Sequence, residues 1–249
     1  MMKLFDARVF VGPDRARQSY QTPANGDAIV RMLEKYGIAR ALVTSFHDAN
    51  SLTRSNQITF QAAARDDRLV PCPVVIPGLP DETGDIDQQV AALIEQGARC
   101  VAYYPRSTNI IHHKLVHGRL FTTLAQRRLP MVVVVDEMSL EEIVDVLEAY
   151  PGLRVIYSGV NYRTARSLYP VMNAFRNLHV TICPPFYINQ GIEAMIREVG
   201  VGQLLYGSDF PRSEPGASIA YLAYADITDD DKARIGFENL DRLTREVHL

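Results

Sequence analysis

Asp209 is the carboxylate whose place in the sequence best suits binding or catalysis, and it lies within the run Gln203 to Ser213 (QLLYGSDFPRS). The apolar residues before it predict a buried strand, because they include too few polar positions for a half-solvated one. Gly207 gives the backbone the freedom to leave the sheet where that strand ends. Pro211 ends the hydrogen bonding between strands because it lacks an N–H. We therefore expect Asp209 at the carboxyl end of a strand, where parallel α/β folds place their sites. The alternative is that it only caps the following turn.

Three of the six histidines, His112, His113 and His117, form the only histidine cluster in the sequence. His113 and His117 have the i, i+4 spacing that places two imidazoles on one helical face. No glutamate lies between them, and a two-histidine pattern is a weak metal signal, so the solvated start of a helix is the better interpretation. His47, just past the second predicted strand, could line the site at the ends of the strands, although a loop residue beside Asp48 is the better interpretation.

Further polar residues follow predicted strands and would share one rim. Arg106, in the loop Arg-Ser-Thr-Asn, could hold a substrate carboxylate or phosphate, although a helix-capping loop needs no ligand. Tyr187, which follows a Pro-Pro turn, and Arg212, which follows Asp209, are the other candidate substrate-binding residues. Tyr187 could equally pack as a loop anchor.

Apolar segments of strand length alternate with amphipathic helical segments along the whole chain. The predicted strands are Leu4–Val11, Ala41–Phe46, Val70–Ile76, Cys100–Tyr104, Met131–Val135, Val155–Tyr157, His179–Cys183 and Leu204–Tyr206. The predicted helices include Asp27–Tyr36, Asp85–Gln96, Ser139–Tyr150 and Asp230–Val247, the third opening on the capping-box pattern Ser-Leu-Glu-Glu. This alternation predicts parallel pairing and a single α/β domain over residues 1–249, a (β/α)8 barrel. An open doubly wound sheet is the alternative, although no GxGxxG follows the first strand.

The composition restricts the class of partner. The chain of 249 residues has 26 Lys and Arg against 29 Asp and Glu, a formal net charge of −3, which favours neither nucleic acid nor an acidic membrane. The cysteines are far apart and lack a CxxC pair, so they predict neither a disulfide framework nor a cysteine zinc site. They are Cys72, Cys100 and Cys183. We expect a soluble cytoplasmic protein; the sequence leaves its oligomeric state open.

The order of these segments resembles the amidohydrolase superfamily, in particular its amidohydrolase-related branch of TIM-barrel metal-dependent hydrolases and decarboxylases. LLYGSDFP resembles the family's last-strand signature, in which the aspartate binds metal and handles the proton of the attacking water. Shorter matches are GARCVAYYP at the fourth strand, LPMVVVV at the fifth, YPGLRVIYSG at the sixth and GFENLDRL in the closing helix. The resemblance covers nearly the whole chain.

The metal-binding histidines that this resemblance implies are missing. The family opens with Asp-x-His-x-His, whereas this chain has Asp6, Arg8 and Phe10 at those positions. A guanidinium has no acceptor atom, and a phenyl ring has no lone pair to offer a metal. The other matching positions hold Ala102 and Tyr104, Val134 or Asp136, and Ser158 or Gly159. Because a catalytic zinc needs three protein ligands, we expect no metal cofactor.

Alternation along the first strand places Asp6, Arg8 and Phe10 on one face, which the resemblance makes the barrel interior. A buried arginine needs a carboxylate partner, because an unpaired buried charge costs several kcal/mol. We therefore expect Arg8 to pair with Asp209 or Asp136.

Two functions stay open at this point. The first is metal-independent hydrolysis of a small carboxylate-bearing ester or lactone, as in lactonases of the superfamily that act without metal. In that role Asp209 is the general base, Arg8 holds the substrate anion or an oxyanion, Tyr104 donates a hydrogen bond, and Asp136 is the further catalytic candidate. The second is a non-catalytic barrel, or one that only binds a small anion. A closed Arg8–Asp209 pair without a cavity would favour the second function, and an unpaired Asp209 with a raised pKa the first.

Overall fold

The computed structural model describes residues 2–13, 24–46, 51–77 and 84–248. Eight strands lie in this part of the chain, and they are β1 Phe5–Val11, β2 Arg40–Ser45, β3 Leu69–Pro71, β4 Val101–Ala102, β5 Met131–Val134, β6 Val155–Ser158, β7 Leu178–Ile182 and β8 Leu204–Tyr206. The helices between and after them are α1 Gly26–Tyr36, α2 Leu52–Ala63, α3 Ile86–Glu95, α4 Lys114–Gln126, α5 Leu140–Ala149, α6 Ala165–Ala174, α7 Gly191–Val199, α8 Pro215–Ala223, α9 Asp229–Ala233 and α10 Asn239–Arg245.

The strands form two parallel sheets, β1 to β3 and β4 to β8, each in sequence order. Single parallel bridges join the sheets at both edges: Val74 pairs with Ala102, and Val9 pairs with Phe210. Since these bridges connect β3 to β4 and β8 back to β1, the strands close into the parallel barrel that the alternation predicts.

Apolar side chains fill both sides of the barrel wall. Ala7, Leu42 and Ile156 belong to the inner layer, and Phe237 packs against the ring of Phe5 at 5.8 Å, near the amino ends of the strands. A larger outer layer lies between the strands and the surrounding helices. Because alternate residues of each strand enter one layer or the other, the barrel is a packed core whose polar residues gather at its carboxyl end.

The largest departure from the predicted elements is the closing helix. The segment predicted as one helix, Asp230–Val247, is divided by a π-helical turn, Arg234–Glu238. Gly236 lies in this turn, where an added Cβ would lie 3.0 Å from the carbonyl oxygen of Lys3. The wider turn therefore lets the backbone approach the start of β1 closely.

Helix capping follows the sequence. Ser139 caps α5 and forms the capping box with Glu142, and Asp85 caps α3. In the described part of the chain, no helix combines the length and the apolar character required to cross a membrane. The assignment of residues 1–249 to one domain stays a prediction.

Candidate active site at the barrel mouth

Strand β1 contains a register shift just before the site. Asp6 pairs with Ala41, but Val9 pairs with Val43, so three steps along β1 match two steps along β2. Such a bulge adds one residue to a strand and re-aims the side chains that follow it.

The bulge changes which residues face the barrel interior. Ala7, Arg8 and Phe10 line the inner cavity, and Asp6 does not. The prediction that Asp6 shares one face with Arg8 and Phe10 is therefore wrong for Asp6, because simple alternation does not hold across a bulge.

Arg8 and Asp209 form an ion pair at the carboxyl end of the barrel. Arg8 Nε donates to Asp209 Oδ1 at 2.7 Å, and the two side chains are only 10% and 11% exposed. The backbone also joins them, because the N–H of Asp209 donates to the carbonyl oxygen of Arg8 at 3.1 Å. Asp209 adopts a left-handed conformation with φ 64°, which aspartate tolerates better than most residues. The expected pairing of Arg8 with Asp209 is confirmed.

Hydroxyl and thiol groups surround the rest of the guanidinium. Arg8 Nη1 donates to Ser158 Oγ at 2.7 Å and lies 3.9 Å from Cys183 Sγ. Thr181 Oγ1 continues this network, at 2.7 Å from Ser158 Oγ and 3.4 Å from Cys183 Sγ. Burial alone would lower the pKa of Arg8, but Cys183 and Asp209 outweigh it and the pKa is raised. Arg8 is therefore a permanent cation at the mouth.

Gly159 provides the space for this cation. Its φ is 82°, and a Cβ at this position would lie 3.0 Å from Arg8 Nη1. Ser158 and Gly159 are the two positions at which the resemblance would place the family's sixth-strand histidine. In this protein Ser158 binds the Arg8 guanidinium through its hydroxyl, and Gly159 makes room for it.

Asp6 joins the bulge to the segment after β8. It is completely buried, and its Oδ1 accepts from the backbone N–H of Arg8 and of Ser208, each at 3.0 Å. Burial raises the pKa of Asp6 from 3.8 to about 7, although these hydrogen bonds partly oppose the rise. Asp6 therefore positions the backbone on both sides of the Arg8–Asp209 pair.

Tyr104 lies beside Arg8 at a small internal cavity. The cavity measures about 10 Å³ and is also lined by Phe10, Thr44 and Ser158. Such a volume holds about one water molecule. Burial raises the pKa of Tyr104 well above its usual range, so its phenol stays protonated at neutral pH and can serve as a hydrogen-bond donor.

Arg212 lies over the aromatic wall of the mouth. Its guanidinium carbon is 5.2 Å from the ring centre of Phe10 and 4.7 Å from that of Phe46, and the two rings stack at 4.7 Å. The guanidinium carbon of Arg8 lies 5.6 Å from the same Phe10 ring. Two guanidinium groups thus flank Phe10, and the described mouth is rich in positive charge beside Asp209.

Arg106 and Asp136 lie in neighbouring loops after β4 and β5. Arg106 Nη1 donates to the backbone carbonyl of Asp136 at 3.0 Å, and Nη2 lies 3.1 Å from Glu142 Oε2. Asp136 itself is exposed. Glu137 also joins the loops, because its carboxylate accepts from both the N–H and the hydroxyl of Ser107. Arg106 therefore braces the two loops, a role that was not predicted from the sequence, and its substrate-binding role stays a prediction.

Tyr187 lies between the mouth and the helices that follow it. Its hydroxyl is 2.9 Å from Ser218 Oγ, and its ring lies 5.2 Å from that of Tyr221. Burial raises the pKa of Tyr187, and Cys183 and Asp209 add to this effect while Ser218 opposes it. Tyr187 is thus held on one side by Ser218 and Tyr221 while 42% of it stays exposed.

The histidine cluster departs from its sequence interpretation. His113 caps α4 by accepting from the N–H of Leu115, so it precedes the helix and does not share a helical face with His117. His117 is only 3% exposed and stacks on Phe121 at 4.3 Å, while His112 lies 4.9 Å away. Burial lowers the pKa of His117 to about 4. The predicted solvated start is therefore wrong for His117, because aromatic packing covers it.

The donor atoms at the mouth do not fit the metal ion that the superfamily binds. Within residues 2–13, 24–46, 51–77 and 84–248, no three His, Cys, Asp or Glu side chains are grouped to hold a metal. Arg8 places a cation against Asp209 Oδ1, and Asp209 matches the aspartate that binds metal in the superfamily. His47 lies outside the described residues. The expectation that the protein carries no metal stays a prediction.

Thr181 and Cys183 are site residues that were not predicted from the sequence. Both lie at the end of β7 and contact the hydrogen-bonded network of Arg8. Their spacing of two residues places them on one face of a strand, which is the signal that could have identified them.

Comparison with known proteins agrees with the barrel fold. The family described as Amidohydrolase matches residues 12–243, a range that begins just after β1. A 2,6-dihydroxybenzoate decarboxylase from Rhizobium is similar in structure, with a TM-score of 0.76, 13% identity, and coverage of 98% of this chain and 99% of that chain. A probable 2-pyrone-4,6-dicarboxylic acid hydrolase from Acinetobacter baumannii, with citric acid bound, has a TM-score of 0.74, 14% identity, and coverage of 98% and 100%.

A third similar structure is 5-carboxyvanillate decarboxylase from Sphingomonas paucimobilis, with a TM-score of 0.73, 12% identity, and coverage of 98% and 99%. At these identities the structures show the fold. No curated protein matches the sequence. Because the family match extends over most of the chain, this protein belongs to the amidohydrolase family.

Proposed function

We propose that this protein is a metal-independent hydrolase of a small carboxylate-bearing ester or lactone. The observation that supports the proposal is that Asp209, Arg8 and Tyr104, a carboxylate, a cation and a phenol, lie together at the carboxyl end of the barrel. A fixed guanidinium supplies there the positive charge that a metal ion would otherwise supply, beside a carboxylate placed to accept a proton.

The reaction divides among the residues at the mouth. Asp209 takes a proton from water as the water oxygen attacks the ester or lactone carbonyl carbon. Arg8 stabilises the resulting oxyanion, and Tyr104 donates a hydrogen bond from its neutral phenol. The carbon–oxygen bond of the leaving group then breaks, and the proton held by Asp209 passes to the departing oxygen. The products are a carboxylic acid and an alcohol, which are one hydroxy acid when the substrate is a lactone.

A carboxylate on the substrate suits the charge of the rim. Arg212 is held over Phe10 and Phe46, close to the mouth. A guanidinium binds a carboxylate through two parallel hydrogen bonds. The names of the similar structures also refer to carboxylate compounds: 2,6-dihydroxybenzoate, 5-carboxyvanillate and 2-pyrone-4,6-dicarboxylic acid. In this proposal Arg212 and Tyr187 contact the substrate, and Arg106 braces the neighbouring loops.

Access must come from the rim side. The cavity beside Tyr104 has room for about one water molecule, so the substrate has to lie above Arg8, next to Phe10 and Asp209. Asp209 must also release part of its contact with Arg8 as it accepts the proton.

A barrel that binds a small anion without catalysis is the second candidate. The closed Arg8–Asp209 pair and the cavity of about 10 Å³ favour it, because both leave little room for a reacting group inside the barrel. The two candidates share the carboxylate site and differ in turnover.

Hydrolysis assays with chelator-treated protein separate the two candidates. Small lactones and esters that bear a carboxylate are compared with their methyl-ester counterparts, which lack the charge. We expect turnover of the carboxylate forms, a fall in kcat of about 100-fold or more in Asp209→Asn, and weaker substrate binding in Arg212→Gln. Asp67→Asn, an exposed residue in the turn before β3, is the matched control and should leave the rate unchanged.

Three results would overturn the proposal that the protein is a hydrolase. Saturable binding of the carboxylates without turnover would select the anion-binding barrel. Turnover that returns only when zinc or manganese is added would place the chemistry on a metal. Equal turnover in Asp209→Asn would remove the proposed base.

A further inference from the structure

A second site lies beside the mouth, between the loop after β7 and the end of α8. It is a groove of about 500 Å³, lined among others by Tyr187, Gln190, Glu193, Tyr221, Tyr224 and Asp226, and it is called the tyrosine groove below. The volume is in the usual range for small-molecule sites. The groove is separate from the cavity beside Tyr104.

The aromatic wall of the tyrosine groove is fixed in place. The hydroxyl of Tyr221 donates to the carbonyl of Ile188 at 2.7 Å and accepts from its N–H at 3.2 Å. Gly191 makes this possible, since a Cβ there would lie 2.6 Å from the Tyr221 hydroxyl. The Tyr187 hydroxyl is hydrogen-bonded to Ser218. The rings of Tyr187 and Tyr221 meet at an interplanar angle of 63°. Two tyrosine rings are therefore preorganised at a steep angle.

The charge of the tyrosine groove is negative. Glu193 and Asp226 line it, and the described lining residues include neither lysine nor arginine. Glu193 Oε1 accepts from the backbone N–H of Asp226 at 2.7 Å, which holds this carboxylate at the groove. Nearby, the Lys232 amine donates to the carbonyl of Ala223 at 2.9 Å, at the end of α8. The groove thus attracts cations, in contrast to the cationic barrel mouth.

We propose that the tyrosine groove binds a small quaternary ammonium ion. Aromatic rings attract a cation through their negative faces, and nearby carboxylates add to that attraction. The hydroxyls of Tyr187 and Tyr221 are already engaged in hydrogen bonds. A cation that donates no hydrogen bond of its own therefore fits these walls better than a primary amine does.

An NMR titration tests this with choline and with its neutral carbon analogue, 3,3-dimethylbutan-1-ol, as probes. We expect saturable choline binding, nuclear Overhauser contacts between its methyl protons and the ring protons of the groove tyrosines, and about tenfold weaker binding of the neutral analogue. This measurement does not depend on any hydrolytic activity.

Variants locate the binding. The double variant Glu193→Gln with Asp226→Asn should weaken choline binding about fivefold or more, because it removes both charges and keeps both side-chain sizes. Tyr224→Ala should weaken it as well, and it removes little packing because Tyr224 is 90% exposed. The controls are Asp230→Asn, an exposed acid on α9, and Tyr162→Ala, an exposed tyrosine that does not line the groove.

Absence of saturable choline binding would overturn the proposal. Equal binding of 3,3-dimethylbutan-1-ol would also overturn it, because the charge would then play no part. Equal losses in the control variants would show only a general attraction to an acidic surface, which contradicts a site in the groove.

Discussion

Replacing Asp6 with asparagine should remove a pH dependence of stability. Asp6 is completely buried, and burial raises its pKa from 3.8 to about 7. The groups that face it are Arg8, on its own strand, and Ser208, Tyr206 and Asp209, in and after β8. Ionising Asp6 in the folded protein therefore costs about 4 kcal/mol more than ionising it in the unfolded chain.

The sign follows from proton binding. Between pH 4 and pH 7 the folded protein keeps the Asp6 proton while the unfolded chain has lost it, so stability falls as the pH rises. Asp6→Asn cannot ionise and lacks this fall. The amide oxygen can still accept from the N–H groups of Arg8 and Ser208, although the new amino group adds a pH-independent cost.

Urea melts at a series of pH values provide the assay. The free energy of unfolding of the parent minus that of Asp6→Asn should fall by about 4 kcal/mol between pH 4 and pH 8. Contributions from His117 and His179, whose pKa values burial lowers to about 4, act in both proteins and cancel in the difference.

Asp66→Asn is the control for this experiment. Hydrogen bonds from Arg68 lower the pKa of the Asp66 carboxyl from 3.8 to about 2, so its contribution is lost mainly below about pH 5 and is nearly constant from there to pH 8. If the difference in free energy of unfolding between the parent and Asp6→Asn is equally constant over that range, the burial argument is refuted.

Two further substitutions test the pair itself. Arg8→Met should lower the free energy of unfolding by about 3 kcal/mol near pH 7, because Asp209 is left uncompensated, and part of the loss should return in acid; urea melts at two pH values measure this. Arg68→Met, at a partly exposed ion pair, should change stability by less than about 1 kcal/mol, and an equal loss in both variants would contradict a special role for Arg8. Gly159→Ala should cost about 1 to 3 kcal/mol in thermal unfolding because of its φ of 82° and the nearby guanidinium, whereas Gly202→Ala has open space around its Cβ and should be nearly neutral; equal effects would contradict the steric argument.

The central pair could be predicted because strand order and the resemblance to the amidohydrolase superfamily together placed Arg8 inside the barrel and Asp209 at the end of the last strand. Arg8 and Asp209 belong to strands at opposite ends of the chain, which a closed parallel barrel makes neighbours. A buried guanidinium then requires a carboxylate; the sequence left Asp209 and Asp136 as candidates, and the structure pairs Arg8 with Asp209.

The details that failed depend on contacts that residue spacing does not reveal. The bulge between Asp6 and Val9 changes the facing of β1, and no glycine or proline marks it in the sequence. His117 is buried partly by Tyr150, which belongs to the end of the next helix. The closing helix widens at Gly236 because β1 lies against it, so tertiary packing overrides the helical pattern there.

Metal content tests most directly the claim that a guanidinium stands in for the ion. The protein is produced with zinc and manganese in the medium, purified without chelator and examined by elemental analysis, together with Asp209→Ala. The proposed role of Arg8 predicts far less than one equivalent of metal in both proteins. About one equivalent in the parent that is lost in Asp209→Ala would contradict it, because Asp209 would then be a metal ligand.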